Sequence, residues 1–489
     1  MKTNSLDFDA QALREKILDL AMRGKLVNQD PNDEPANVLL EKIKAEKVEL
    51  VKEGKIKKSK ALPEITEDEK PFDIPDSWEW VRLGDVLLNT IGGGTPSKKN
   101  QDYWNGKIPW ISVKDVHKDE LEITETQDTI STMGLKNSST NLIKANTLIA
   151  VMRMAVGRIG VVKMNACINQ DLRALITSKN FCDQYLLYIY SHLNFETSGI
   201  TVKGLKINAL LETIIPLPPL SEQSRIAAKI AQLFALLRKV ESSTQQYAKL
   251  QTLLKSKVLD LAMRGKLVEQ DPNDEPASVL LEKIKAEKEQ LIKEKKIKKS
   301  KPLPPITDEE KPFEIPDSWK WVRLGDIGAW AAGATPSRKH PEYYGGTIPW
   351  LKTGDLNDGI VNETSEKITE LGVKNSSVKV NEPGNVLIAM YGATIGKLGI
   401  VGNQELVTNQ ACCGCSLFDG VHNWYLFYYL LASRKRLIDL GSGGAQPNIS
   451  KNKIEKFTFP LPPLEEQNRI VTKVERLFAL LGKSAKSPL

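Results

Sequence analysis

Polar, glycine-rich turns followed by cations are the residues of this chain best suited to bind an anion. GGGTPSKK at 92–99 has a counterpart, AGATPSRK, at 332–339, and GRIG at 157–160 has a counterpart, GKLG, at 396–399. The backbone amides and cations of such turns can approach phosphate, and nearby Arg or Asn side chains can read base edges. From the residues alone, an equally good interpretation is that the glycines only allow turns in a sheet.

The motifs of common nucleotide-dependent enzymes are incomplete in this chain. Residues 392–397 resemble a phosphate-binding loop, but they are one residue short of it and are followed by Leu398. No GxGxxG stands between a credible strand and helix. The LPPL runs at 217–220 and 461–464 lack the polar first residue and aromatic last residue that an amino-methyltransferase needs. An enzyme with an unrecognised nuclease or methyltransferase site remains an alternative.

The cysteines and histidines do not predict a metal site or a catalytic dyad. Cys412, Cys413 and Cys415 lie close together, but structural zinc usually needs four ligands in paired spacing. The corresponding residues 171–174 contain no cysteine, so buried thiols on a strand are the better interpretation. The four histidines, at positions 117, 192, 340 and 422, do not recur between the two halves of the chain.

Composition places the chain among ordinary globular proteins. It has 489 residues, 41% of them hydrophobic and 26% charged, which is enough for two or three domains. Its net charge of +7 permits a nucleic-acid partner without requiring one. There is no apolar run of the roughly 18–20 residues that a membrane span needs. The first residues lack a signal-peptide pattern, and the five cysteines do not suggest a disulfide scaffold. We therefore expect a cytoplasmic protein.

An internal repeat accounts for most of the chain. Residues 18–47 and 259–288 differ at only two positions, and IPDSWEWVRLGD at 74–85 recurs as IPDSWKWVRLGD at 315–326. Between later motifs the offset changes by a few residues, which indicates two copies of one fold that have diverged inside. The period exceeds the about 20–50 residues of solenoid repeats, so each copy should be a whole domain with a connecting element.

A long helix is predicted between the two copies. Apolar residues recur at spacings of four and three over residues 226–261, a seam of about five heptads. Start and stop signals at Pro219 and Gly265 predict a helix of about 43 residues. The seam reappears divided between the chain ends, at 6–20 and 470–481, which predicts that matching halves pack together. A coiled coil used only for dimerisation is the alternative.

A second helix is expected after each PNDEPA segment, with Pro35 or Pro276 in its first turn. It ends in a lysine run, KIKKSK at 55–60 and 296–301. Each run is either a solvated helix end or a supplementary phosphate contact.

Two segments of about 140 residues lose helical periodicity and are predicted to be mixed domains with substantial sheet. Their β-rich runs at 146–162 and 385–401 are broken by glycine. Amphipathic helices are expected near their ends, at 184–193 and 424–437.

Taken in order, these motifs resemble the specificity subunit of type I restriction-modification enzymes across essentially the whole chain. The matching segments are the two IPDSW segments, TPS followed by IPW, GATIGKLGI at 392–400, NQ at 169–170 and 409–410, QPNISKNKI at 446–454, and PLPPLSEQSRI or PLPPLEEQNRI before each helix. The first copy departs from the pattern at 154–158 and 202–206, which fits two domains that read different half-sites.

The resemblance implies an α+β fold with two pseudo-two-fold-related mixed α/β target-recognition domains, joined by long antiparallel coiled-coil helices. Each domain would read one half of a bipartite, gapped site in double-stranded DNA, and the helices would dock two modification subunits. The expected divisions are a helical leader at 1–75 that pairs with the C-terminal tail, recognition domains at 76–216 and 317–460, a helical spacer at 217–316, and a C-terminal helix at 461–489.

The resemblance also implies a reader without catalytic activity or a metal. S-adenosylmethionine, ATP and Mg²⁺ would belong to the modification and restriction subunits, and no cofactor is expected in this chain. A coiled-coil interaction scaffold is the other alternative. We expect DNA contacts from residues at loops and strand ends, several of them at motif positions: Lys98, Lys99, Arg153, Arg158, Arg338, Lys339, Tyr391, Lys397, Gln446, Asn448 and Lys451.

Overall fold

The computed structural model describes residues 9–118, 120–198, 204–441 and 448–482. The chain divides into two compact units, one ending at Thr244 and the other beginning at Gln245.

The first unit is a mixed domain between helices. Its elements are α1 (Ala10–Met22), α2 (Ala36–Lys52), β1 (Glu79–Arg82), α3 (Leu83–Val86), β2 (Leu87–Gly92), β3 (Trp104–Ile111), β4 (Glu122–Ile123), β5 (Asp128–Ile130), α4 (Thr132–Lys136), β6 (Leu142–Ile143), β7 (Leu148–Val151), β8 (Ile159–Val162), β9 (Ala166–Ile168), β10 (Leu172–Thr177), α5 (Asp183–Ile189), β11 (Thr197–Ser198), β12 (Gly204–Leu205), α6 (Ile207–Glu212), β13 (Ile214–Leu217) and the start of α7 (Leu220–Met263).

The second unit begins within α7 and repeats this order. Its further elements are α8 (Ala277–Lys293), β14 (Lys320–Arg323), α9 (Leu324–Ile327), β15 (Gly328–Ala332), β16 (Tyr344–Leu351), β17 (Gly359–Val361), β18 (Glu366–Ile368), α10 (Glu370–Lys374), β19 (Val380–Asn381), β20 (Val386–Ala389), β21 (Leu398–Val401), β22 (Leu406–Thr408), β23 (Cys412–Leu417), α11 (Asn423–Ala432), α12 (Arg434–Asp439), α13 (Lys451–Glu455), β24 (Thr458–Leu461) and α14 (Leu464–Leu480).

The two domains have the same sheet topology. In the first, a five-stranded sheet has the order β2-β10-β7-β8-β4 and a four-stranded sheet has the order β5-β3-β9-β6. In the second, the corresponding orders are β15-β23-β20-β21-β17 and β18-β16-β22-β19. The predicted β-rich runs form β7 with β8 and β20 with β21, so this part of the prediction is confirmed. The α+β fold class and the mixed character of both domains are confirmed as well.

The helix near the end of the second domain is more buried than predicted. In α11, the six consecutive residues from Tyr425 to Leu430 are each 0% exposed. A helix that is apolar on all sides belongs inside a core, whereas an amphipathic helix keeps one polar face in water. The amphipathic prediction is therefore wrong for α11, which lies among the core residues of the second unit.

The long central helix is confirmed. Helix α7 runs for 44 residues, from Leu220 to Met263, and the chain leaves it at Gly265 with a φ of +66°. The backbone amide of Lys266 then donates to the carbonyl of Leu261 at 2.8 Å, which closes the helix end in the manner of a glycine cap. The second helices begin one residue later than expected, since Pro35 and Pro276 precede α2 and α8 with ψ near 150° instead of lying in the first turn.

Matching halves of the predicted seam pack within each unit. In the first unit, Arg14 of α1 pairs with Glu241 at 2.6 Å, and Gln29 donates to Glu222 at 2.6 Å. Because one residue number rises as the other falls, the two chain segments run antiparallel. In the second unit, the side-chain amide of Gln251 donates to the carbonyl of Leu481 at 2.7 Å, which places the other half of α7 against the end of α14.

The seam is buried towards the ends of α7 and exposed in its middle. Ile226 and Ile230 are 0% exposed, whereas Tyr247 is 49% exposed and Leu254 is 50% exposed. Leu6, which the sequence places in the matching seam, lies outside the described residues. Among the described residues, the seam is therefore packed towards the ends of α7 and not in its middle.

Within the described ranges, no helix combines the length and the apolar character that a membrane crossing requires.

Candidate nucleic-acid interface

The glycines before each TPS motif allow two backbone segments to approach closely. A Cβ atom on Gly93 would lie 2.2 Å from the carbonyl oxygens of Ile168 and Asn169. A Cβ atom on Gly333 would lie 2.0 Å from the carbonyl oxygen of Thr408. No side chain fits at such distances, so packing against the NQ segment accounts for these glycines.

Hydrogen bonds join the TPS, IPW and NQ motifs into one corner of each domain. In the first domain, Thr95 donates its hydroxyl to the side-chain oxygen of Gln170. The indole of Trp110 donates to the carbonyl of Gly94 at 3.0 Å. The second domain repeats both bonds with Thr335, Gln410, Trp350 and Ala334. The motifs that carry the resemblance are therefore a structural frame, and the cations beside them are free to differ.

The predicted cations after TPS lie on an exposed turn in both domains. Lys98 and Lys99 are exposed, and no carboxylate of the described residues pairs with either side chain. The guanidinium of Arg338, in contrast, lies 4.1 Å from the ring centroid of Tyr344 and donates to Glu366 at 2.8 Å. Lys339 next to it is exposed. The first turn thus offers mobile point charges, and the second offers a guanidinium held in place.

Arg153 and Tyr391 occupy matching positions in the two domains. Each follows the central strand of its five-stranded sheet by two residues, and each forms an isolated antiparallel bridge, Arg153 with Gly204 and Tyr391 with Asn448. Both side chains are exposed, Arg153 at 62% and Tyr391 at 40%. Both residues are among the DNA contacts expected from the sequence, and the two bridges show that their positions correspond.

A small cleft of about 690 Å³ opens beside Arg153 in the first domain. It contains two cations, an acid and the amide of the NQ motif, with an exposed Met154 whose backbone has a φ of +67°. Its lining residues are Arg153, Met154, Gln170, Asp171, Gly204, Leu205 and Lys206. Sequence reasoning missed Asp171 and Lys206, since they come from other segments and carry no motif of their own.

Arg158 and Lys397 lie elsewhere in their domains. Arg158 is exposed, donates to the carbonyl of Val116 at 3.3 Å, and lines a large cleft of about 2300 Å³ between α1, α5 and α7. Lys397 is half-buried immediately before β21. Arg158 is absent from the lining of the small cleft beside Arg153.

The candidates near the end of the second domain differ in exposure. Asn448 is exposed at its bridge to Tyr391, whereas Lys451 begins α13 and pairs with Glu455 at 2.6 Å. Gln446 lies outside the described residues.

A buried glutamate ties each IPDSW motif to the helix that follows the domain. Glu222, 1% exposed, accepts hydrogen bonds from the Trp78 indole at 2.8 Å and from Gln29 at 2.6 Å. Burial raises the pKa of Glu222, and the two donors oppose that rise. Glu466 makes the same bond with Trp319 at 2.8 Å, and burial raises its pKa as well. This anchor fixes the start of each domain to the helix that follows that domain, and the sequence did not reveal it.

A buried arginine at the end of the first strand of each domain joins the segment before the domain to the segment at its end. Arg82 donates to the carbonyls of Pro63 and Glu212 and pairs with Glu69 at 2.8 Å. The Arg82 hydrogen bond lowers the pKa of Glu69 to about 2. Arg323 makes the corresponding pair with Glu310 at 2.7 Å.

The clustered cysteines are buried thiols on a strand, as predicted. Cys412, Cys413 and Cys415 lie on β23 and are each 0% exposed. Burial raises the pKa of Cys413 to about 12, so these thiols are neutral packing residues.

Comparison with known proteins identifies the family. The family model for the type I restriction modification DNA specificity domain matches residues 75–251 and again residues 316–486. The type I restriction enzyme EcoAI specificity subunit of Escherichia coli is 33% identical, over 97% of this chain and 90% of that protein. The EcoEI specificity subunit of the same species is 30% identical, over 96% of this chain and 89% of that protein.

Solved structures show the same fold. A chain from a structure of a type I R-M system matches with a TM-score of 0.57 at 22% identity, covering 84% of this chain and 92% of that chain. The HsdS subunit from Thermoanaerobacter tengcongensis matches with a TM-score of 0.51 at 21% identity, covering 86% of this chain and 95% of that chain. With two matches to the family model and relatives of almost its full length, this chain belongs to the specificity subunits of type I restriction-modification enzymes.

Proposed function

We propose that this chain is the DNA-reading subunit of a type I restriction-modification complex. Residues 76–216 would read one half of a bipartite, gapped site in double-stranded DNA, and residues 317–460 would read the other half. One observation carries this proposal: both domains share their strand order and the bonds among TPS, IPW and NQ, yet they differ in the exposed side chains around that frame. A common frame with different surfaces is what two readers of different sequences need.

The helices supply the second part of the proposal. Helix α7 passes from one domain to the next, and its middle keeps apolar side chains exposed, such as Tyr247 at 49% and Leu253 at 65%. We assign the helices to docking two modification subunits, with which restriction subunits would assemble. S-adenosylmethionine, ATP and Mg²⁺ would be bound by those subunits, and this chain would hold no cofactor of its own. It would act in the cytoplasm, where cellular DNA is accessible to the complex.

The exposed cations are proposed as two kinds of DNA contact. Lys98 and Lys99 suit phosphate, because mobile point charges neutralise the backbone without reading sequence. Changing either lysine to Ala should weaken binding to all sequences alike. It should also reduce the slope of log affinity against log salt concentration by about 1, the contribution of one phosphate contact. The same proposal extends to Lys339, Arg158, Lys397 and Lys451 as backbone contacts, and to Arg338, Tyr391, Gln446 and Asn448 as readers or supports of bases.

The decisive experiment is a genome-wide map of methylated adenine in the source cell, with and without this gene. Loss of one bipartite, gapped motif on deletion, and its return on complementation, is the expected result. Deletion of the modification gene serves as the control and should remove the same motif. If the modification gene is required for a motif that this gene leaves unchanged, the proposal is wrong.

A further inference from the structure

The two domains build the same main-chain frame around a methionine next to the central strand. In the first domain, the amide of Met152 donates to the carbonyl of Asp171 at 2.7 Å, and its carbonyl accepts from Leu205 at 2.7 Å. In the second domain, Met390 makes the same two bonds with Ala411 at 2.7 Å and Ile449 at 2.9 Å. These bonds establish which positions correspond, independently of any sequence offset.

The side chains on this shared frame differ in chemistry. The first domain carries a cation, an acid and a second cation at Arg153, Asp171 and Lys206, and the second domain has Tyr391, Ala411 and Ser450 at those positions. The asparagine and glutamine of the NQ motif before Asp171 are the same in both domains. In the first domain these three side chains line one surface cleft, and their chemistry differs from that of the second domain although the main-chain bonds are the same. Such a difference points to recognition and not to folding.

We propose that Arg153 reads a guanine in the half-site of the first domain and that Asp171 is its positioning residue. This inference rests on the proposed function of the chain as a DNA reader. Arg153 extends from the frame with 62% of its side chain exposed, and its guanidinium lies 3.7 Å from the carboxylate of Asp171.

The carboxylate is itself held in place. Only 13% of the Asp171 side chain is exposed. Its oxygen lies 3.4 Å from the side-chain amides of both Asn169 and Gln170, and its own backbone amide donates to Asn169 at 3.1 Å. A fixed acid restricts the rotamers of the guanidinium beside it, which lowers the entropy lost when Arg153 binds. In the second domain, Ala411 makes the same backbone bond at 3.1 Å but has no carboxylate.

The chemistry of the small cleft favours guanine. Guanine presents two acceptors in the major groove, O6 and N7, and the two parallel N–H donors of an arginine match them. Adenine, which presents a donor beside its acceptor, does not match. The cleft beside Arg153 adds Lys206 as a second cation, suited to an adjacent phosphate, and an exposed Met154 held at a positive φ. Tyr391 cannot offer two parallel donors, so the second domain should not require guanine at the equivalent place.

The test uses the complete complex with its modification subunits and measures methylation of competing oligonucleotides that differ from the cellular site at one base pair. Arg153→Lys keeps the charge and removes the paired donors. We expect the preference for the cellular base pair over its competitors to decrease by a factor of about 5 to 150 at one guanine of one half-site. The preference at the other half-site should not change. Asp171→Asn should reduce discrimination at that same guanine, and Asp171→Glu should restore part of it. Lys163→Gln is the matched control, since it breaks an exposed pair with Glu122 outside the small cleft, and it should change nothing.

Three results would overturn the inference. The first is full discrimination by Arg153→Lys, and the second is an equal loss of methylation on all sequences, which would make Arg153 a phosphate contact. The third is Asp171 variants that lower the melting temperature without changing base preference. Each of these results leaves the wild-type complex methylating a gapped site, so the proposed function would stand. Failure of that function appears differently, as a wild-type complex whose methylation does not depend on this chain.

Discussion

Removing the Trp78 indole donor should loosen the start of α7 and leave the second unit unchanged. The Trp78→Phe change keeps an aromatic ring in the core but deletes one of the two donors to Glu222. Both side chains are almost fully buried, at 3% and 1% exposure, so water cannot replace the lost bond. A hydrogen bond to a charged group contributes about 1.5–3 kcal/mol. The opening free energy of the helix start should fall by that amount.

Native-state hydrogen exchange of the full chain provides the assay. Peptides covering residues 217–226 should exchange roughly 10- to 150-fold faster in Trp78→Phe. Peptides around Glu466 report the equivalent anchor in the same molecule and should not change, whereas Trp319→Phe should give the reverse pattern. Trp104→Phe is the matched control, because its indole donates to the carbonyl of Ser97 at an exposed site and should contribute under about 1 kcal/mol.

The carboxylate determines the pH dependence of this effect. Burial raises the folded-state pKa of Glu222 above its ordinary value, so its ionised form destabilises the fold as pH rises through that pKa. Losing a donor penalises the ionised form further, and the difference between Trp78→Phe and the wild type should shrink as pH falls. In a Glu222→Gln background, Trp78→Phe should cost less than it does alone. Equal protection in both proteins, or equal loss at both anchors, would refute the reasoning.

Three further predictions concern other parts of the frame. Gly24→Ala should destabilise the first unit more than Gly54→Ala in urea unfolding, because both glycines have positive φ but only Gly24 would place a Cβ atom 2.4 Å from Pro75; equal costs would contradict this. Glu69→Gln should flatten the acid unfolding curve between pH 4.5 and about 2, since the Arg82 pair lowers the pKa of Glu69 and its stabilisation is present above pH 4.5 and lost as pH falls; a curve like that of the wild type would exclude this role. Inserting four residues in the middle of α7 should lengthen the helix by about 6 Å and shift the recognised gap by about two base pairs, and an unchanged gap in the methylation map would show that α7 does not set the spacing.

The sequence predicted those features whose signals are local. Helix α7 was predicted within a residue or two because a proline and a glycine mark its ends, and β7 and β8 were predicted because glycine separates two short apolar runs. The full burial of α11 was missed, because tyrosines on a helix resemble a polar face until their surroundings are known. Tyr425, for example, donates to the carbonyl of Pro460, which lies on a distant strand.

The site was less predictable because its parts come from distant segments. The sequence predicts Arg153 as a contact at a loop or strand end, yet its partner Asp171 lies in the turn before β10, and Lys206 follows β12. Trp78 and Glu222 are 144 residues apart and meet only after the domain has folded. Sequence patterns within one copy cannot show such contacts. The repeat can show them once the strand pairing is known, because each contact then has a counterpart to compare.

The close approach at Gly93 and Gly333 has a consequence for how new versions of this protein could arise. Carbonyl oxygens fill the space where a side chain would start, so substitutions at these glycines are excluded whatever DNA is bound. Exposed neighbours such as Lys98 and Arg153 meet no such restriction. Mutational libraries restricted to exposed positions should therefore retain folded protein at high frequency while sampling many recognition surfaces. Natural variants should accumulate changes at the same places, and in this way the rigidity of the corner makes the surface evolvable.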